Sequence, residues 1–80
     1  MARTRTTDGV AIIRLRERLG ILQKDLAQRI GVSSSYMSRI ETGVENPGPT
    51  SKTVRRIALE LGVDLDTITK PVEPEPEAAA

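Results

Sequence analysis

The side chains with the most chemistry to offer are gathered between residues 30 and 41, in IGVSSSYMSRIE. Serines stand at 33, 34, 35 and 38, and Arg39 lies four residues after Ser35. A serine hydroxyl is both donor and acceptor. It can cap a helix or meet almost any polar partner, and it discriminates weakly between them. An arginine fork engages two acceptors at once. The O6 and N7 edge of guanine is such a pair, worth about 1–3 kcal/mol of base discrimination. On a helix, Ser34 and Ser38 share a face, as do Ser35 and Arg39. This set offers recognition by hydrogen bonding. It does not offer catalysis, because the chain has neither histidine nor cysteine, the commonest general base and metal ligands. Asp8, Asp64 and Asp66 read as charges at helix starts, not as a metal cage. No enzyme activity, cofactor or metal is expected.

Eighty residues predict one small domain. Hydrophobic residues make up 38%, and Tyr36 is the only aromatic, so the core must be aliphatic. No apolar run approaches the ~18 residues of a membrane span, and no signal-peptide core follows the N-terminal arginines. The expectation is a soluble, cytoplasmic protein with no membrane partner. The net charge of +1 is unevenly spread. Residues 71–80 carry Glu73, Glu75 and Glu77 and no base, which leaves 12 basic and 8 acidic side chains, a net +4, on residues 1–70. A basic body permits a polyanionic partner without requiring one.

The elements that must position these groups are helical. MARTRTT, residues 1–7, lacks apolar periodicity and reads as a flexible arm. Thr7 or Asp8 can cap the first helix, where Ile12, Leu15 and Leu19 form an apolar stripe and Gly20 supplies the stop. A second helix from Gln23 to Ile30 buries Leu26, Ala27 and Ile30 and stops at Gly31. Ser33 caps a third helix, with Met37 and Ile40 facing inward, ending before Gly43. VENPGPTS is a loop. A fourth helix, capped by Thr50 or Ser51, carries Val54, Ile57, Ala58 and Leu61 on one face and ends at Gly62. VDLDTI predicts a short fifth helix, with Asp64 as N-cap and Val63 and Ile68 as a hydrophobic staple. KPVEPEPEAAA alternates proline with glutamate, and an acidic, disordered tail is expected over residues 71–80. The fold class expected is all-α, with five helices in residues 8–70.

The joint between the second and third helices is the most specific feature. Ala27 is small where the helices cross, Gly31 supplies the turn, and Val32 and Ile40 fill the angle. This is the layout of a helix-turn-helix over about residues 23–42, whose second helix lies in the DNA major groove. The joined set of Gln23, Leu26-Ala27, Gly31-Val32-Ser33, Ser38-Arg39-Ile40-Glu41, Gly43 and IALELGV resembles the lambda-repressor/Cro-type (XRE) family. The likeness runs from Leu15 to Ile68. It implies a compact five-helix lambda-repressor-like domain that binds operator DNA and regulates transcription, usually as a repressor on two half-sites. Two departures stand out. Leu22 occupies the place where such proteins commonly have a capping Ser or Thr, and the stretch from Gly43 to Pro49 is about two residues longer than usual.

The resemblance assigns roles beside simpler readings. Ser34, Ser35, Ser38 and Arg39 become candidates to read bases. On residue type alone, the serines are solvated groups of a helix surface and Arg39 is a solvated or phosphate-bound cation. Ser33 is first a cap, with a phosphate as a second partner. Tyr36 either completes the core or packs at its edge and sends its hydroxyl to a phosphate. Gln23 and Lys24, at a helix start, are phosphate candidates. Arg16 and Glu41 are implied to form a partly buried ion pair that orients the third helix. Arg3 and Arg5 are either a DNA-touching arm or a mobile basic terminus.

The function expected is a sequence-specific DNA-binding regulator of transcription. The partner is double-stranded DNA, bound by a homodimer that forms either beforehand or on the DNA. The alternative is an antitoxin-type or other protein-interaction module of the same fold, with the acidic tail as its partner-binding segment.

Overall fold

The computed structural model describes residues 5–44 and 49–71. Strand β1 (Arg5–Thr7) leads into α1 (Gly9–Arg18), α2 (Gln23–Ile30) and α3 (Ser34–Thr42), followed by α4 (Ser51–Leu61). A 3₁₀ turn over Leu65–Ile68 and strand β2 (Thr69–Pro71) complete the order.

Local chemistry sets the helix limits. Asp8 caps α1, its Oδ1 accepting from the Ala11 amide at 3.2 Å. Ser33 caps α3 by accepting from the Tyr36 amide at 3.0 Å, and Thr50 caps α4 through the Thr53 amide at 3.3 Å. Gly31, at φ 80°, lies in the left-handed region that α2 needs to turn. Its amide donates to the Gln28 carbonyl, and that of Val32 to the Ala27 carbonyl. These bonds satisfy two carbonyls that the helix end would otherwise leave open. The same closure ends α1, α3 and α4, each time with an aliphatic residue following the glycine.

The core is aliphatic. Ile12, Leu26, Met37, Ile40, Ile57 and Ile68 are fully buried, one or two from each helical element. Val54, Ala58 and Leu61 join them from α4, and Ala27 and Ile30 from α2. Each fully buried aliphatic side chain contributes about 1.5–3 kcal/mol of transfer free energy. Leu15, Ile21, Val32, Tyr36 and Val63 pack around this centre, half-buried.

The all-α expectation needs correction. Strands β1 and β2 pair antiparallel, with Arg5 opposite Pro71, Thr6 opposite Lys70 and Thr7 opposite Thr69. The Asp8 amide continues the ladder by donating to the Ile68 carbonyl at 2.8 Å. Burial of Ile68 brings the following strand to the start of α1. Arg5–Thr7 are therefore held in the fold rather than belonging to a flexible arm. The Arg5 guanidinium donates to the Thr69 hydroxyl (2.9 Å) and carbonyl (2.8 Å) and lies 3.8 Å from Asp66. Residues 1–4, with Arg3, lie outside the described residues.

Two further differences concern the helices. There are four α-helices among the described residues, and the expected fifth is a single 3₁₀ turn whose N-cap, Asp64, makes no side-chain cap bond. Leu19, expected in the stripe of α1, is 53% exposed. Leu19 is the C-cap, still αR and bonded to the Leu15 carbonyl (3.0 Å), so it keeps to the line of Ile12 and Leu15 but stands at the end of the helix, exposed. Residues 45–48 of the loop and 72–80 of the acidic tail lie outside the described residues. Pro71, placed in the tail by the sequence reading, is the last residue of β2.

Candidate nucleic-acid interface

Helix α3 is divided lengthwise. Met37 and Ile40 anchor one side in the core. At 100° per residue, Ser34, Ser38, Thr42, Ser35 and Arg39 fall within one arc on the other side. Ser34, Ser35, Arg39 and Thr42 are exposed and Ser38 is half-buried. The structure thus brings the four base-reading candidates onto one face, as the spacing predicts. It adds Thr42, which is not among the candidates the sequence offers. Thr42 lies four residues after Ser38, and that interval was its signal. Its hydroxyl donates to the Ser38 carbonyl at 3.0 Å.

Arg39 has a local support. Its guanidinium carbon stands 5.6 Å from the centroid of the Tyr36 ring, three residues earlier on the helix. A cation over an aromatic face is attracted by the ring quadrupole, worth about 0.5–1 kcal/mol at an exposed site. Tyr36 is half-buried against the core, so its ring offers a platform for the Arg39 guanidinium. The simpler reading of Tyr36, a residue completing the core, describes its ring only in part.

The C-terminal end of α3 is clamped. Glu41 is the buried charged residue among the described residues, 4% exposed. Arg16 of α1 meets it with two parallel bonds, Nε to Oε2 at 2.8 Å and Nη2 to Oε1 at 3.2 Å. The remaining Arg16 nitrogen, Nη1, donates to the Ile21 carbonyl at 3.0 Å. Two-pronged pairing of this kind fixes geometry as well as charge. The Gln23 amide nitrogen adds a third bond, to Glu41 Oε1 at 2.9 Å. One carboxylate therefore ties α1, α2 and α3 together. The ion pair anticipated from Arg16 and Glu41 is present; the share of Gln23 in it was not anticipated.

That share changes the position of Gln23. Its side chain is half-buried and holds the first turn of α2 beside the last turn of α3. An amide NH₂ carries two donors, so the bond to Glu41 leaves one N–H in a set direction. Leu22, the N-cap of α2, makes no side-chain cap bond. The first amides of α2 lack the side-chain oxygen that Ser33 supplies to α3. Lys24 is exposed in the same turn. Uncapped amides and a lysine make a favourable place for an anion. Among the described residues, no cluster of carboxylates or other ligands is arranged to hold a metal ion, and no helix is long and apolar enough to cross a membrane.

Known proteins share this arrangement. A helix-turn-helix family model matches residues 12–68. The chain is 39% identical over 62 residues to a propionyl-CoA carboxylase regulator of Cereibacter sphaeroides, covering 76% of this chain and 13% of that protein. It is 34% identical over 68 residues to y4dJ, an HTH-type transcriptional regulator of Sinorhizobium fredii, covering 85% of this chain and 86% of the relative. The fold is similar to that of SinR. Its N-terminal DNA binding domain from Bacillus subtilis superposes with a TM-score of 0.68 at 26% identity, over 86% of this chain and 94% of that one. SinR in complex with DNA gives 0.67 at 29% identity, over 74% and 95%. With its family match spanning the core from Ile12 to Ile68, and with two helices joined at Gly31 as the sequence anticipates, the chain belongs to the lambda-repressor/Cro-type (XRE) family of helix-turn-helix proteins.

Proposed function

We propose that this protein is a sequence-specific DNA-binding regulator of transcription, acting as a repressor on a two-fold operator. The observation that carries the reading is the division of α3. Core residues Met37 and Ile40 and the clamped Glu41 fix the helix, and the opposite arc is a row of hydrogen-bonding side chains. The solved complex of SinR with DNA supports a DNA partner, and y4dJ supports a role in transcription.

The work divides between anchoring and reading. The open first turn of α2, Lys24 and the outer N–H of Gln23 take phosphates on one side of α3. Ser33 and the Tyr36 hydroxyl take phosphates on the other. Between them, Ser34, Ser35 and Ser38 approach base edges closely and permissively, while Arg39 selects guanine through its fork. The Tyr36 ring limits the rotamers of Arg39 before binding and so reduces the entropy lost on contact. A single small domain makes few phosphate contacts. Tight binding therefore uses two copies on half-sites about 34–36 Å apart, one helical turn. Occupancy of the operator then blocks access of polymerase.

Selection of bound duplexes from a random pool tests this reading. The expected result is one enriched two-fold sequence with guanine at a matched position in each half. Recovery of unenriched DNA at low salt would overturn it.

A further inference from the structure

Helix α4 has two organised faces. Val54, Ile57, Ala58 and Leu61 face the core. Directly opposite, Lys52, Arg55, Arg56 and Leu59 recur at i, i+3, i+4 and i+7, the spacing of a second stripe. All four are exposed, and with Ser51 they line an open groove of about 490 Å³. Leu59, 75% exposed, closes the C-terminal end of this basic stripe. Among the described residues no carboxylate pairs with Lys52, Arg55 or Arg56. The Arg56 guanidinium donates to the Arg29 carbonyl at the end of α2 (3.2 Å), at the border of this face.

The chain carries a segment that matches this surface in sign, spacing and reach. Residues 72–77 read VEPEPE, three acids against three bases, with valine and prolines to meet Leu59. Glutamates at every second residue recur about 6–7 Å apart in extended chain. Lys52 and Arg56 are separated by about 6 Å along the helix axis. Strand β2 starts next to the start of α4, since Thr69 and Ser51 line one groove. Six residues beyond Pro71 span up to about 20 Å, and Lys52 to Leu59 is about 10 Å of helix. A tethered segment needs little intrinsic affinity, because its effective concentration is in the millimolar range.

We propose that the acidic segment Glu73–Glu77 docks within its own chain onto the Lys52–Arg55–Arg56–Leu59 face of α4. The contact neutralises the basic face of α4 and withdraws it from other polyanions. It does not depend on what α3 binds, and its test uses no DNA.

The test is a comparison of ¹H–¹⁵N spectra of the full chain and its E73Q/E75Q/E77Q variant at low salt. The expected outcome is amide shift changes concentrated at Lys52, Arg55, Arg56 and Leu59, lost at high salt and unchanged on dilution. In a K52E/R55E background, the glutamine substitutions should produce no changes in α4. The proposal is overturned by changes confined to residues 72–80, by changes centred on Lys24 or on Ser34–Arg39, or by changes that fade on dilution, which would make a second copy the occupant.

Discussion

Gly9 abuts the main chain of Glu41. A Cβ built on Gly9 would lie 2.6 Å from the Glu41 carbonyl carbon and 2.9 Å from the Ile40 oxygen, and would overlap the Glu41 oxygen itself. The obstacles are backbone atoms, which cannot rotate away. The residue whose side chain receives Arg16 and Gln23 is thus also confined through its main chain. Helix propensity alone favours Gly9→Ala by up to about 1 kcal/mol. The close approach predicts the opposite sign, a loss of about 1–3 kcal/mol from forced displacement of α1 and α3. Urea unfolding decides between them, and a variant as stable as the parent would refute the packing described.

Arg16→Met is predicted to cost about 3–5 kcal/mol, because it leaves the buried Glu41 carboxylate with Gln23 as its remaining partner. Glu41→Ala strands the Arg16 guanidinium, whose side chain is 12% exposed, and should cost less. Gln23→Ala should cost about 1–3 kcal/mol, the desolvation left by one missing partner. Arg16→Met combined with Glu41→Leu should recover much of the single loss, since no charge is then left without its partner. Chemical denaturation of these variants and of Glu41→Leu alone measures this, and additive losses of Arg16→Met and Glu41→Leu in the double variant would contradict it.

Leu22→Ser is predicted to stabilise the chain by about 1 kcal/mol by supplying the side-chain cap that α2 lacks. Leu22 is 57% exposed, so little apolar burial is lost in exchange. A higher midpoint in thermal unfolding is the expected result; a lower one would mean that Leu22 has a packing role.

Much of this fold was legible because its signals are local. Gln23–Ile30 has an apolar face that recurs with the helix, and a glycine follows it where the chain must turn. Ser33 and Ser51–Leu61 gave equally short-range signals. The pairing of Arg5–Thr7 with Thr69–Pro71 was not legible, since the two strands are three residues each, show no alternation and meet across the length of the domain. Leu19 lies on the stripe but is exposed, because periodicity gives the direction of a side chain and not whether a neighbour covers it at the helix end. At the site, the face of Ser34, Ser35, Ser38 and Arg39 followed from spacing. The ion pair of Arg16 and Glu41 was implied by the family. Gln23 on Glu41, Gly9 under α3 and Arg39 over Tyr36 depend on how helices pack or on rotamers, and no interval in the sequence announces them.

Lys24→Ala is expected to weaken binding to every DNA sequence by a similar factor, because a phosphate contact carries no sequence information. The slope of log K against log salt should become shallower by about one. Binding isotherms at several salt concentrations, on selected and scrambled duplexes, check both points. A loss restricted to the selected duplex would assign Lys24 to base reading instead.

In the proposed function the arc of α3 reads bases, and Arg39 supplies most of the selection. The most direct test is to select duplexes from a random pool with the parent chain and with Arg39→Ala, and to compare the recovered sequences position by position. The account predicts that the variant loses its preference at one base pair in each half-site, at a cost of about 1–3 kcal/mol for the parent's best sequence, and keeps the remaining positions. Recovery of the same sequence with undiminished preference at every position would contradict it.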